Sequence, residues 1–126
     1  MRRAVDQFNA GDHEGFLEVF APEVVSLSDP RVADRMEYRG RAGLREWIDE
    51  ALARWSSVRF RALAVEPVGS GLLVELALVA KTDGGGGGWL LHVLLHWAGD
   101  RVSAVCAYPD RDAALAAASA IARRTP

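Results

Sequence analysis

From Arg41 to Trp55 apolar side chains recur at Leu44, Trp47, Ile48, Ala51, Leu52 and Trp55, the spacing of one buried helical stripe. Arg45, Glu46, Asp49, Glu50 and Arg54 fall on the wet side of the same helix. Beyond it the period changes to two, and three or four long strands are predicted at about 58–67, 71–82, 89–98 and 101–108. On the third of these Trp89, Leu91, Val93, Leu95 and Trp97 share one face, and Leu90, His92, Leu94, His96 and Ala98 share the other. Neither face is properly polar. A sheet of this kind needs helices on one side and a further cover on the other, most simply a second copy of the chain, so a homodimer is expected.

Ahead of the long helix, Val5 and Phe8 mark one short helix and Phe16, Leu17 and Phe20 a second, with Gly11 between them and Asp12 as N-cap. Pro22 stops the second helix, and Glu23 to Ser28 reads as a short strand ending at Asp29-Pro30. Residues 31–40 read as a charged loop with a small extended piece around Glu37 to Arg39. Turns are expected at Gly69-Ser70-Gly71, at Asp83 followed by Gly84 to Gly88, and at Gly99-Asp100. An alanine-rich helix beginning near Asp110 closes the chain, with Arg123 and Arg124 at its negative end.

Composition narrows what such a chain can do. Its 126 residues suit one domain, 1–126, and with half of them hydrophobic a sizeable core can be buried. The 15 basic and 17 acidic residues are spread evenly, so the basic face needed for nucleic acid is not expected. Charged and histidine positions interrupt the apolar runs too early for a membrane span, and with Asp6, Gln7, Asn9 and Asp12 breaking any apolar run at the start a signal peptide is not expected there. The single Cys106 has no internal partner, which suits the cytoplasm. Arginine supplies all but one of the basic residues, a hint of a GC-rich bacterial source.

Several strings, in order, carry a family resemblance: Phe8-Asn9-Ala10-Gly11-Asp12, Phe16 to Phe20 followed by Ala21, Asp29-Pro30, Gly40-Arg41-Ala42-Gly43-Leu44-Arg45-Glu46-Trp47, and Tyr108-Pro109-Asp110-Arg111. Together with the order of elements they resemble the cone-shaped α+β family that contains ketosteroid isomerase, the SnoaL-like polyketide cyclases and nuclear transport factor two. The resemblance implies a strongly curved, mostly antiparallel sheet wrapped around the N-terminal helices to form a cone with an apolar pocket, plus a C-terminal helix. On that reading the pocket wall draws on Phe16, Trp47, Val74, Leu76, Trp89, Leu91, Val93, Trp97, Cys106 and Tyr108, and the convex side pairs with another subunit. The aromatic walls suit a flat apolar ligand, polyketide- or terpenoid-like. No cofactor is implied.

The resemblance places a proton-shuttling carboxylate at Asp29, with one extra residue between Phe20 and that Asp, and Tyr108 as its polar partner. In the isomerase an Asp base works with an oxyanion hole made from a Tyr and a protonated Asp. Those donors fall here near Ala4 and Val93, so both are missing and steroid isomerisation is not expected. The water-activating Asp-Arg-Asp set of an epoxide hydrolase of this fold cannot be placed on inward strand positions either. What remains is an acid–base cyclase or isomerase using Asp29, or a binding or interaction module without catalysis.

Each candidate has a plainer role. Asp29 also reads as a turn residue beside Pro30, Asp110, where the resemblance implies a further acid, as a helix N-cap, and Cys106 as a small core hydrophobe. His92 and His96 stand four apart on a strand, about 13 Å along one face, too far to share a metal ion; no metal site is expected. They fall on the convex side, and His13 is expected to be exposed. The glycine run 84–88 lacks the Lys-Ser/Thr of a phosphate loop and reads as a flexible hairpin tip.

Overall fold

The computed structural model describes residues 2–32, 37–69, 71–82 and 84–124. The loop positions 33–36 and the turn residues Ser70 and Asp83 lie outside them. The elements are α1 (Arg2–Asn9), α2 (His13–Glu18), β1 (Phe20–Ser28), β2 (Glu37–Arg39), α3 (Gly40–Arg54), β3 (Ser57–Val68), β4 (Gly71–Thr82), β5 (Gly85–Ala98), β6 (Arg101–Tyr108) and α4 (Arg111–Arg124). The fold is α+β. Its six strands form one open sheet in the order β2-β1-β6-β5-β4-β3, antiparallel except where β1 runs parallel to β6.

Local chemistry explains the joints. The Asp12 carboxylate accepts the Gly15 amide at 3.0 Å, the expected cap of α2. β1 starts earlier than Pro22 predicts, at Phe20, and absorbs the proline as an irregularity: its register on β6 jumps between Phe20 and Val25, where Pro22 has no N–H to give the ladder. Gly40 turns β2 into α3 with φ of +70°, a conformation glycine adopts without strain. Beside it Arg41 sends two guanidinium N–H groups to the Phe20 carbonyl at 2.7 and 3.0 Å, fastening α3 to β1.

Helices α1 to α3 cover the inner face of the sheet. Their core with the strands contains Phe8, Leu17, Phe20, Val24, Leu44, Ile48, Val74, Val93 and Val102, all buried. The stripe on α3 is narrower than its spacing suggests, because Leu52 is exposed. On the outer face lies α4, whose Ala114 lets it approach closely over Leu73, Leu94 and Cys106. Its N-cap is Asp110, which accepts the Ala113 amide at 2.7 Å, and Arg111 pairs with Glu66 of β3. The chain thus supplies from α4 part of the cover that the strand pattern assigned to a second subunit, and Leu94, expected at that interface, sits beneath it.

The glycine run is not a loose tip. Gly85 to Gly88 continue β5 and pair with Thr82 to Val79, because an extended backbone can complete the ladder without side chains. Trp89 leans back over this stretch, and a Cβ on Gly87 would stand 3.4 Å from its ring.

Candidate functional site

The inner face holds a chain of rings. Phe8 of α1 meets Phe60 at 4.7 Å and Phe16 at 5.2 Å between centroids, both edge-on; Phe16 meets Phe20 at 5.0 Å, and Trp47 stacks on Phe60 at 5.7 Å. Val74, Leu76, Leu91 and Val93 of β4 and β5 complete the wall. Six of the expected lining residues, Phe16, Trp47, Val74, Leu76, Leu91 and Val93, are therefore brought together. Trp89 and Trp97 share their parity but lie toward the strand ends, 45 % and 36 % exposed, with Trp89 against Trp55 at 5.5 Å. Among the described residues no buried side chain is charged, and the hydroxyl and thiol that are buried belong to Tyr38 and Cys106. Offset and edge-on rings present apolar faces with weakly positive rims, a surface suited to another flat ring.

Cys106 and Tyr108 belong to the other face. Strand parity places them with Val102, toward the interior, but β6 carries one extra residue: Trp97 pairs with Val102 and His96 with Ala104, leaving Ser103 unmatched. This bulge reverses parity. Val102, Val105 and Ala107 face the aromatic core, and Cys106 and Tyr108 pack beneath α4. Burial raises the pKa of Cys106, against a partial lowering by its contact with the Tyr108 hydroxyl. Burial likewise raises that of Tyr108, with smaller contributions from Cys106 and Asp29. A thiol held protonated in this way is a poor nucleophile.

The Asp29 backbone amide donates to the Ala107 carbonyl at 2.9 Å, where β1 and β6 end, and its carboxylate adds slightly to the raising of the Tyr108 pKa. Yet Asp29 is engaged elsewhere. Its carboxylate takes the Arg31 backbone N–H at 2.9 Å and the Arg31 guanidinium at 3.0 and 2.9 Å, while its carbonyl accepts the Val32 amide at 2.8 Å across the Pro30 turn. The hydrogen bonds from the Arg31 side chain, then its backbone N–H, hold the Asp29 pKa down to about 2. A base for carbon acids needs a pKa moved toward neutrality, and this one moves away. Because the folded value is depressed, the interaction is complete above the ordinary carboxylate range and is lost as pH falls toward 2. Arg31→Ala is expected to return Asp29 toward the ordinary value of 3.8, read from a carbon-detected NMR titration; an unchanged value would deny Arg31 its role.

The sequence did not single out Arg31, although a basic residue two positions after Asp-Pro is well placed to close on the carboxylate. Nor did it single out Asn9. The Asn9 side-chain amide donates to the Phe60 carbonyl and accepts the Phe60 amide, both at 2.8 Å, as a neighbouring strand would. His13, expected in solvent, is partly buried and lies against Phe8 at 5.4 Å. His92 faces outward in register with Glu75 and Tyr108. Among the described residues no group of three or more His, Cys, Asp or Glu is placed to hold a metal, and no helix is long and apolar enough to cross a membrane.

Comparison with known proteins agrees with this architecture. A family model described as a SnoaL-like domain matches residues 1–114. No curated protein matches the chain. Among solved structures, TerC co-crystallised with polyporic acid superposes with a TM-score of 0.76 at 14 % identity, covering 94 % of each chain. A protein of ketosteroid isomerase-like fold from Catenulispora acidiphila, in complex with trimethylamine, gives 0.74 at 16 % identity over 99 % of this chain and 95 % of its own. A cystatin-fold protein from Novosphingobium aromaticivorans gives 0.70 at 17 % identity, covering 85 % and 92 %. At such identities the likeness is one of fold.

Proposed function

The chain belongs to the SnoaL-like domain family, and from that membership and the ring-lined inner face we infer that it is a one-domain, cytoplasmic small-molecule-binding protein whose ligand is flat and apolar. The observation that carries this reading is the run of rings from Phe20 through Phe16, Phe8 and Phe60 to Trp47. A ligand of this kind inserts between such rings and replaces ring–ring contacts with its own. Two similar structures were solved with small molecules, polyporic acid and trimethylamine, which supports small-ligand binding as a use of this scaffold.

Binding is favoured over acid–base catalysis by the same geometry. The titratable ring that touches the aromatic interior is His13, against Phe8 from the start of α2, and Asp29, the expected base, is committed to Arg31. A second copy on the outer face has less to dock on than the strand pattern implied, since α4 covers Leu73, Leu94 and Cys106 and leaves Val79 and Leu90 open.

Titration with 1,4-naphthoquinone, followed by NMR, tests the reading. Saturable shifts are expected at the Trp47 indole and the methyls of Val74, Leu76 and Val93, with the outer residues Leu73 and Leu94 unmoved. Shifts that fail to saturate, or that fall on the outer set alone, overturn it.

A further inference from the structure

The outer face of β3 and β4 carries charge for which the aromatic interior has no use. Arg59 and Arg61 alternate along β3, while Lys81 of β4 is the register partner of Ser57, so the three stand on one face in steps of about 7–8 Å. All three are exposed, and among the described residues none forms an ion pair. They border an open groove of about 510 Å³ in which Asp6 is the one described carboxylate. Like charges at neighbouring sheet positions repel, and in a chain of net charge −2 their concentration here is local.

A second hollow, of about 480 Å³, shares Val79 and Lys81 with the first and runs along Gly85, Gly86 and Gly87. Its floor is bare because Gly86 and Gly88 are the register partners of Lys81 and Val79. A Cβ at Gly86 would stand 2.5 Å from the Ala80 carbonyl oxygen, so that position must remain glycine for the two strands to keep this approach. Val79 and Leu90 lie beside the bare stretch, 42 % and 47 % exposed. Cations at one end and open apolar surface at the other make a trough with two chemistries.

We propose that this trough binds an anionic amphiphile, a small molecule whose phosphate or carboxylate head sits among Arg59, Arg61 and Lys81 and whose short apolar tail lies across Val79, Leu90 and the glycine floor. Arginine forks and a lysine ammonium are suited to such a head group, and charge-assisted hydrogen bonds hold it more strongly than neutral ones. A second copy is the poorer occupant: a two-fold contact centred on this patch would set three cations against the same three.

The test is calorimetric titration with octyl phosphate below its critical micelle concentration, alongside inorganic phosphate, octanol and phosphatidylglycerol vesicles. Octyl phosphate is expected to bind once per chain and more tightly than phosphate or octanol, weakening as salt is raised. The triple variant Arg59→Gln, Arg61→Gln, Lys81→Gln is expected to lose about tenfold or more in affinity. Gly88→Val, whose Cβ meets nothing nearer than 3.8 Å, is expected to bring octyl phosphate down to the affinity of phosphate alone while leaving phosphate binding unchanged. Three results overturn the proposal: octyl phosphate binding that ignores the triple variant, binding to vesicles without binding to free octyl phosphate, or a dimer that protects the Val79 and Leu90 amides from exchange. The naphthoquinone titration reports on the inner face and is independent of all three.

Discussion

Phe8→Ala is expected to lower folding stability by about 3–5 kcal/mol, the range for removing a large buried aromatic. Phe8 is 3 % exposed and touches the rings of His13, Phe16, Trp47 and Phe60, on two helices and a strand. Its truncation removes apolar burial and also two edge-on ring contacts, with Phe16 and Phe60, worth about 0.5–1.5 kcal/mol for a pair. Against a typical total of about 5–15 kcal/mol, such a loss takes a large fraction of the stability and leaves a measurable unfolded population in a less stable chain. Urea denaturation with an unchanged m-value checks it. A loss below about 1 kcal/mol would mean that Phe16, Trp47 and Phe60 collapse into the vacated space, and that the interior is held far less tightly than its ring geometry indicates.

The second large effect is expected at Asn9. β3 is the edge of the sheet, and at Phe60 the Asn9 side chain supplies the donor and acceptor that a further strand would have brought. Asn9→Ala removes both and leaves two partly buried backbone groups seeking water. The expected cost is about 1–3 kcal/mol. The local signature is sharper than the global one: hydrogen exchange at the Phe60 amide accelerates in the variant more than exchange at residues of β5 in the middle of the sheet. Equal acceleration at both would mean that the substitution acts only through overall stability, and the capping role would be lost.

How far the molecule can be read from its sequence depends on the reach of each signal. Local periodicity located α3 and the strands β3, β4 and β6, because spacing along one segment records which side of it is buried. The caps at Asp12 and Asp110 were legible for the same reason, as each carboxylate serves an amide three residues on. Parity failed at Ser103, since an unmatched residue becomes visible only when two strands are laid side by side. That single position accounts for the misplacement of both Cys106 and Tyr108.

The glycine run misled in a related way. Glycine has a poor intrinsic preference for strands, yet four in a row join a ladder when Val79 to Thr82 offer one. The candidate interior was legible as a set of inward apolar positions, six of which converge. Its rim was not, because exposure of Trp89 and Trp97 depends on where helices on the other side of the core come to an end. Asn9 escaped notice since its partner, an edge-strand peptide fifty-one residues away, is set by tertiary geometry, whereas Arg31 closes on a carboxylate only two residues back and was legible in principle.

The unmatched Ser103 also decides which chemical groups the chain can offer to a guest. With it, β6 changes phase partway along, sending Val105 and Ala107 inward and a phenol and a thiol outward. Were Ser103 to pair with His96 in an unbroken ladder, the same strand would turn Cys106 inward opposite Val93 and Tyr108 inward opposite Leu91, and Leu94 would lose its companions under α4. One bulged residue therefore acts as a selector between an interior that merely accommodates a ring and one that could address the ring's oxygen.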